Sequence, residues 1–124
     1  MAPRRGDHVK TTMLIMVPDQ SHATREVDLV RYPDYATLRD LLTPIIDCKY
    51  IEHVSVLADF KGGVEFRRAD MFVDEDGHAK GRPMNGAATA IYRRNALLHH
   101  GVTDPETLSW IAGPAVLFNR IVWT

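Results

Sequence analysis

Two pairs of short β-strand segments, each joined by a turn, constrain the fold of this chain more than any other feature. In the first pair, an apolar run at residues 11–17 is followed, after a turn, by alternating residues at 25–31. In the second, the alternating segment 52–59 leads through Lys61-Gly62-Gly63, which is typical of hairpin turns, to a return strand at 64–73. Strands joined by such short turns pair antiparallel, so the sequence predicts an antiparallel sheet.

Two helices follow these strand pairs. The first is predicted to begin after Asp34, whose carboxylate can accept hydrogen bonds from the first free amides. It is predicted to end or kink near Leu42, because Pro44 removes a backbone donor and clashes one turn back. The second helix is predicted over about residues 86–99, with Asn85 as its cap.

A short helical turn at 105–110 and a last strand over 115–123 complete the predicted elements. In the return strand the apolar residues change parity between Phe66 and Ala69, which predicts a β-bulge at Arg67-Arg68. The element order is ββαββα and then β. It predicts an α+β fold, with an antiparallel sheet of about five strands and two main helices packed on one face.

Chain length and cysteine content narrow the class of protein. The chain has 124 residues, which suits a single domain over residues 11–124 behind a flexible N-terminal tail at 1–10. The single cysteine, Cys48, excludes an intramolecular disulfide and fits a reducing cytoplasm. Because no apolar run reaches the roughly 18 residues that a membrane span needs, we expect a cytoplasmic protein without a membrane partner.

Charge and motif content exclude several functions. The 15 basic and 16 acidic residues leave a net charge of −1, which does not favour a nucleic-acid partner. The hydrolase motif GxSxG, the P-loop and the GxGxxG motif are missing. The segment Asp74–His78 lacks the spacing of a calcium loop and is interpreted as a solvated turn, and adjacent His99 and His100 suit a helix end better than a metal site. We therefore expect no metal and no cofactor.

Basic and polar residues in the second half of the chain are the best candidates for binding. Arginine guanidinium groups hold phosphate or carboxylate groups through pairs of hydrogen bonds, and these side chains converge if the second helix packs beside the second strand pair. The alternative is a solvated face, balanced by the carboxylates of Glu65, Asp70, Asp74 and Glu75. The predicted ligand-binding residues are Arg67, Arg68, Lys80, Arg82, Tyr92, Arg93 and Arg94.

Two further hypotheses remain open beside simple binding. One is a small enzyme with a site directed at a nucleotide, which a compact polar pocket with a histidine and a carboxylate in hydrogen-bond reach would favour. The other is a nucleic-acid-binding module that uses the arginines. No residue is assigned a catalytic role, and we expect a binding protein rather than an enzyme. The titratable members of the enzyme hypothesis are His53, Asp70, His78 and Tyr92.

Several motifs lie close together in the second half of the chain. An acidic stretch at Asp70–Gly77 is followed by the loop Lys80–Asn85 and by Ala87-Ala88-Thr89, with Tyr92 one turn further on. The closing stretch Ile111–Val116 contains a Gly-Pro pair before its apolar residues. Over roughly the last two thirds of the chain, these motifs resemble those of the family called domain of unknown function 3846.

The resemblance implies a product of phages, plasmids or other accessory DNA of bacteria, and it implies no activity and no catalytic residue. We accordingly predict a non-enzymatic binding protein of a phage or mobile genetic element. Its ligand is expected to be a host protein or a small anionic molecule, and counter-defence is the role that this context suggests. A homodimer would form through an open sheet edge or through Trp123, although neither feature requires one.

Overall fold

Five β-strands and two α-helices make up the regular structure of the described residues, which are 6–19, 21–59, 66–99, 101 and 104–123 of the computed structural model. The strands form one antiparallel sheet in the order β2-β1-β5-β4-β3, which confirms the predicted α+β fold with five strands and two helices. In chain order the elements are β1 (His8–Met16), β2 (His22–Val30), α1 (Tyr35–Ile46), β3 (Ile51–Asp59), β4 (Phe66–Asp74), α2 (Gly86–His99), a 3-10 helix (Pro105–Thr107) and β5 (Ala115–Phe118).

The last strand joins two antiparallel strand pairs at the centre of the sheet. The β1–β2 and β3–β4 pairs form as predicted, although the hairpin residues at 61–63 lie outside the described residues. Val116 of β5 is paired with Ile15 of β1 on one side and with Phe72 of β4 on the other. Residues close to the C-terminus therefore hold the two halves of the chain together.

The two helices cover opposite faces of the sheet. Phe72 and Val116 pack in one apolar cluster with Leu42 of α1. Their sequence neighbours Met71 and Leu117 pack in a second cluster with residues of α2. Successive strand residues point to opposite faces, so these clusters define an α1 face and an α2 face. The prediction that both helices pack on one face was therefore wrong.

The central strand explains this arrangement. All four residues of β5, Ala115–Phe118, are apolar and buried. A strand that is apolar on both sides has to be covered on both sides, whereas a sheet with helices on one face keeps polar residues on the other. Each face of the sheet centre therefore receives one helix.

Both predicted helix caps are confirmed. The Asp34 carboxylate accepts a hydrogen bond from a first-turn amide of α1 at 2.8 Å. The fully buried Asn85 accepts one from the Ala88 amide at 3.1 Å through its side-chain oxygen. Its side-chain amide donates to the carbonyl oxygens of Met16 and Gly113, each at 3.0 Å. Asn85 thus caps α2 and also attaches it to β1 and to the loop before β5.

Helix α1 extends past the predicted stop near Leu42. Pro44 lies in its last turn, where the missing amide costs one hydrogen bond, and Ile46 beyond it is fully buried. The helix ends at Asp47, whose left-handed backbone has a φ of 57°. Burial of Ile46 against the sheet is the physical reason that the helix continues through the proline.

The β-bulge predicted at Arg67-Arg68 is not formed. The register of β4 with β3 is continuous, with Arg68 opposite Leu57 and Arg67 opposite Ala58. The change of apolar parity has another cause: both faces of β4 are covered, so apolar residues occur at odd and even positions.

Several predicted boundaries also move. Strand β1 starts at His8, so the last three residues of the predicted tail belong to the sheet. The predicted turn at 105–110 is a 3-10 helix over Pro105–Thr107. Strand β5 ends at Phe118, and the following segment, 119–123, turns onto the α1 face, where Val122 joins the apolar cluster.

Candidate functional site

The seven residues predicted to bind a ligand do not converge on one site. Lys80 and Arg82 are bound to a single carboxylate, that of Asp74, at 2.6 Å and 2.7 Å. The Asp74 side chain is fully buried at the end of β4, and the Asp76 amide donates to its second oxygen at 2.9 Å. The interpretation of this stretch as a solvated turn was therefore wrong for Asp74.

The Asp74 cluster has a structural role. Burial by itself raises the pKa of Asp74, but hydrogen bonds from Lys80 and Arg82 outweigh it and hold the pKa below its ordinary value. The same guanidinium nitrogen of Arg82 donates to the carbonyl oxygens of Ile46 and Asp47 at 2.9 Å and 3.1 Å. Arg82 thus connects the loop after β4 to the carbonyl end of α1, and the assignment of Lys80 and Arg82 as ligand-binding residues stays a prediction.

The predicted residues of α2 lie apart from this cluster. Arg93 donates to the Leu108 carbonyl at 3.1 Å, and its buried Nε has no hydrogen-bond partner among the described residues. Arg94 is exposed on the same helix, and Tyr92 lines a cleft on the α2 face. The Arg67 side chain lies outside the described residues.

Arg68 lies at the mouth of a different cleft, which has a volume of about 240 Å³. Three segments form it: the end of β2, the start of β4 and the segment after β5. We call it the arginine cleft, because three of its six lining residues are arginines and none is acidic. The lining residues are Arg31, Tyr32, Arg68, Asn119, Arg120 and Ile121.

Arg120 is held firmly in the wall of the arginine cleft. Its Nε donates to the Thr11 hydroxyl at 3.0 Å, and one terminal nitrogen donates to the Val30 carbonyl at 3.1 Å. The other terminal nitrogen donates to the Arg31 carbonyl. Burial, and then the charge of Arg31, lower the pKa of the Arg120 guanidinium. The arginine cleft therefore contains a fixed cation, Arg120, that is repelled by the charge of Arg31.

The charges of the other two arginines are not balanced locally. Within the part of the chain that the structure describes, neither Arg31 nor Arg68 forms an ion pair with a carboxylate. Asp70 lies near enough to Arg120 to raise the pKa of its guanidinium. Both Asp70 oxygens, however, already accept hydrogen bonds, one from His53 and the other from the Val122 amide. The proposed balance of the arginines by Asp70 is therefore not observed.

Asp70 is paired with His53 on the α1 face. The Nε2–H of His53 donates to Oδ1 of Asp70 at 2.6 Å, while Oδ2 accepts from the amides of Val122 and Trp123, each at 2.8 Å. The Asp70 side chain is almost fully buried, and the His53 ring lies between Phe72 and Trp123. A histidine and a carboxylate do lie in hydrogen-bond reach.

The four titratable residues of the enzyme hypothesis are nevertheless divided between the two faces. His78 and Tyr92 line a cleft of about 150 Å³ on the α2 face, and neither His53 nor Asp70 lines it. The pair of His53 and Asp70 also lies outside the lining of the arginine cleft. The pair of His53 and Asp70 therefore lies apart from both clefts.

Sequence reasoning missed Arg31 and Arg120. They follow the ends of β2 and β5, and 89 positions separate them in the chain, so no local spacing connects them. Among the described residues no group of three or more histidine, cysteine or acidic side chains could hold a metal ion. The predicted role of the adjacent histidines at 99 and 100 falls on side chains outside the described part.

A comparison of the chain with protein-family profiles, with characterised proteins and with solved structures found no match. Among the described residues, no helix combines the length and the apolar character needed to cross a membrane.

Proposed function

We propose that this protein binds a small anionic ligand in the arginine cleft. The observation that carries the proposal is the convergence of Arg31, Arg68 and Arg120 on one concavity without an acidic lining residue. Guanidinium groups bind phosphate, sulfate and carboxylate through parallel N–H donors. A bound anion would also offset the repulsion between Arg31 and Arg120.

The volume of the arginine cleft limits the size of the anion that it can bind. Its volume of about 240 Å³ is below the roughly 300–1,000 Å³ of pockets that enclose drug-sized ligands. A phosphate group with a small organic body fits this space, whereas an intact dinucleotide does not. The ligand is therefore a compact phosphorylated, sulfated or carboxylated molecule.

The fixed position of Arg120 supports this assignment. Its three nitrogens are bound to backbone and hydroxyl oxygens, so little side-chain freedom is left to lose on binding. Arg68 is exposed and free of ion pairs among the described residues, so its side chain can reorient toward the anion. One arginine thus provides a fixed charge and another an adaptable one.

Calorimetric titration with inorganic phosphate and with glycerol phosphate tests this proposal. We expect the double variant Arg31→Ala, Arg68→Ala to bind at least about tenfold more weakly, since two charge-assisted contacts are lost. Arg39→Ala is the matched control, because Arg39 is exposed on α1 and, within the described part of the chain, its guanidinium makes only a long contact of 3.4 Å to Asp40. Equal affinity in the double variant and the wild type would refute the proposal.

The biological setting is a further part of the proposal and rests on the sequence resemblance. We propose that the protein acts in the bacterial cytoplasm as the product of a phage or mobile genetic element. Counter-defence is the role that this setting suggests, and capture of a small anion is a binding activity that would serve it. Growth of a phage with and without the arginine variants measures whether the cleft matters in that setting.

A further inference from the structure

A second cleft lies on the α2 face, on the opposite side of the sheet from α1. It has a volume of about 150 Å³. Its floor is apolar and comes from the sheet and from the segment before β5, with Val54, Val73, Ile111 and Ala112. Polar and aromatic residues line the rest: Glu52, Asp74, Glu75, His78, Tyr92, Ser109 and Trp110. We call it the acidic aromatic cleft.

Two of its carboxylates are uncompensated. Glu52 and Glu75 are exposed, and neither forms an ion pair with a cation of the described residues. Asp74 differs, because Lys80 and Arg82 already neutralise its charge. The mouth of the cleft therefore has two negative charges beside an apolar floor.

Two aromatic rings complete the wall. The Trp110 side chain belongs to a residue that is 45% exposed, and Tyr92 is half-buried on α2. The His78 ring packs on Trp110 with the ring centroids 4.9 Å apart, and its Nε2 donates to the Trp110 carbonyl. These contacts hold the tryptophan at the edge of the cleft, although its exposure is unfavourable in water.

We infer that the acidic aromatic cleft binds a guanidinium or ammonium group on a short apolar stem, as in an arginine or lysine side chain. A cation over a tryptophan or tyrosine ring is attracted by the ring electrons, and the attraction grows when water is excluded. The apolar floor accommodates the methylene groups, and the two glutamates neutralise the charge. A closed cavity of about 150 Å³ holds a benzene molecule, so one side chain fills this space.

This site is independent of the arginine cleft. The two clefts share no lining residue and have opposite charge. The observation behind it is the combination of unpaired carboxylates, an exposed tryptophan and an apolar floor in one concavity. If the cation site is refuted, the proposed anion binding in the arginine cleft is unaffected, because the two sites are tested with different variants and different ligands.

Nuclear magnetic resonance of the two tryptophan indole N–H groups tests the inference. The Trp110 signal is assigned with Trp110→Phe, and the protein is titrated with N-acetyl-arginine amide. N-acetyl-citrulline amide is the control ligand, because it has nearly the same shape without the charge. We expect a saturable shift of the Trp110 signal with the arginine compound and a response at least roughly fivefold weaker with citrulline.

Protein variants give the second half of the test. We expect the double variant Glu52→Gln, Glu75→Gln to weaken binding of the arginine compound by roughly tenfold. Glu26→Gln, an exposed change on β2, should leave the affinity unchanged. Equal shifts with citrulline, unchanged affinity in the double variant, or no shift of the Trp110 signal would each overturn the inference.

Two ligands distinguish whether the bound cation belongs to a protein partner or to a small free molecule. A pentapeptide with a central arginine that binds tighter than the amino-acid amide indicates a protein partner. Equal affinities of the pentapeptide and the amino-acid amide indicate that the ligand is a small free cation, which the same residues would bind. Both outcomes support a cation site, and only the three results above refute it.

Discussion

The Nε2 nitrogen of His53 lies 2.6 Å from Oδ1 of Asp70, and this contact links β3 to the buried carboxylate of β4. The other Asp70 oxygen accepts hydrogen bonds from two consecutive amides, those of Val122 and Trp123. One carboxylate thus orients a histidine and holds the C-terminal segment against the sheet. This arrangement predicts that Asp70 acts on stability.

Replacement of Asp70 should destabilise the protein strongly. In Asp70→Ala two amides lose their acceptors, at about 1–3 kcal/mol each, so we expect the free energy of unfolding to fall by about 2–6 kcal/mol. Urea denaturation followed by circular dichroism measures this change. The exposed Asp28, whose carboxylate lies 3.6 Å from Nδ1 of His8, provides the control Asp28→Ala, which should change it by less than about 1 kcal/mol. A loss of less than about 1 kcal/mol in Asp70→Ala would contradict a role of Asp70 in stability.

The length of the Arg82 side chain should matter as well as its charge. One guanidinium nitrogen contacts Asp74 and the carbonyl oxygens of Ile46 and Asp47, and the ammonium of Arg82→Lys, on a side chain one atom shorter, stops short of that position. We expect a loss of about 1–2 kcal/mol for Arg82→Lys and about 2–4 kcal/mol for Arg82→Ala in the free energy of unfolding. Thermal and urea unfolding of both variants measure these values. A lysine variant as stable as the wild type would show that charge alone is sufficient.

Stability should fall in acid partly through Asp74. Its pKa in the folded protein lies below the ordinary value of 3.8, so the folded state binds this proton less readily than the unfolded chain. The stabilisation is therefore complete above about pH 5 and is lost as the pH falls below 3.8 through the folded-state pKa. Urea midpoints between pH 7 and pH 2 should show Asp74→Asn less stable than the wild type at pH 7 and converging with it in acid. A constant difference across this range would contradict the prediction.

Anions should stabilise the folded protein through the arginine cleft. A ligand at 100 times its dissociation constant adds about 2.7 kcal/mol to the free energy of unfolding. Potassium phosphate should therefore raise the melting temperature more than potassium chloride of equal ionic strength. The gain should disappear in the double variant Arg31→Ala, Arg68→Ala and persist in Arg39→Ala. If the melting temperature rises equally in the double variant and in Arg39→Ala, phosphate does not act through the arginine cleft.

The buried amide of Asn85 should not tolerate a carboxylate. Asn85→Asp removes the donor to the carbonyl oxygens of Met16 and Gly113 and leaves a charge in a fully buried position. We expect a loss of about 3–5 kcal/mol in the free energy of unfolding, measured by urea denaturation. Ala90→Asp is the control, because it places a carboxylate at an exposed position of the same helix. A loss below about 1 kcal/mol for Asn85→Asp would show that the site adapts.

Local signals in the sequence predicted much of the fold. The carboxylate of Asp34 and the amide of Asn85 cap their helices as expected, because capping depends on residues within one turn. The position of the helices was predicted wrongly, since alternation within one strand does not show how many faces are covered. The continuous apolar run at Ala115–Phe118 indicates burial on both sides, and its meaning depends on where that strand lies in the sheet.

The candidate sites were less accessible to sequence reasoning. Of the seven predicted ligand-binding residues, Arg68 lines the arginine cleft and Tyr92 the acidic aromatic cleft. Lys80 and Arg82 were predicted to bind a ligand, and in the structure both contact the carboxylate of Asp74. Whether an arginine is free or paired depends on which carboxylate the folded chain brings to it, and spacing along the sequence does not contain that information.

The sequence by itself determined the strand pairs, the helix caps and the single-cysteine, near-neutral composition, because each depends on neighbouring residues or on counts. The tertiary structure alone decided that β5 enters between the two strand pairs and that α1 and α2 lie on opposite faces. It also brought Arg120 to the Arg31 carbonyl across 89 positions of sequence. The physical reason is that long-range contacts follow from burying apolar surface on both sides of one central strand, which no local pattern specifies.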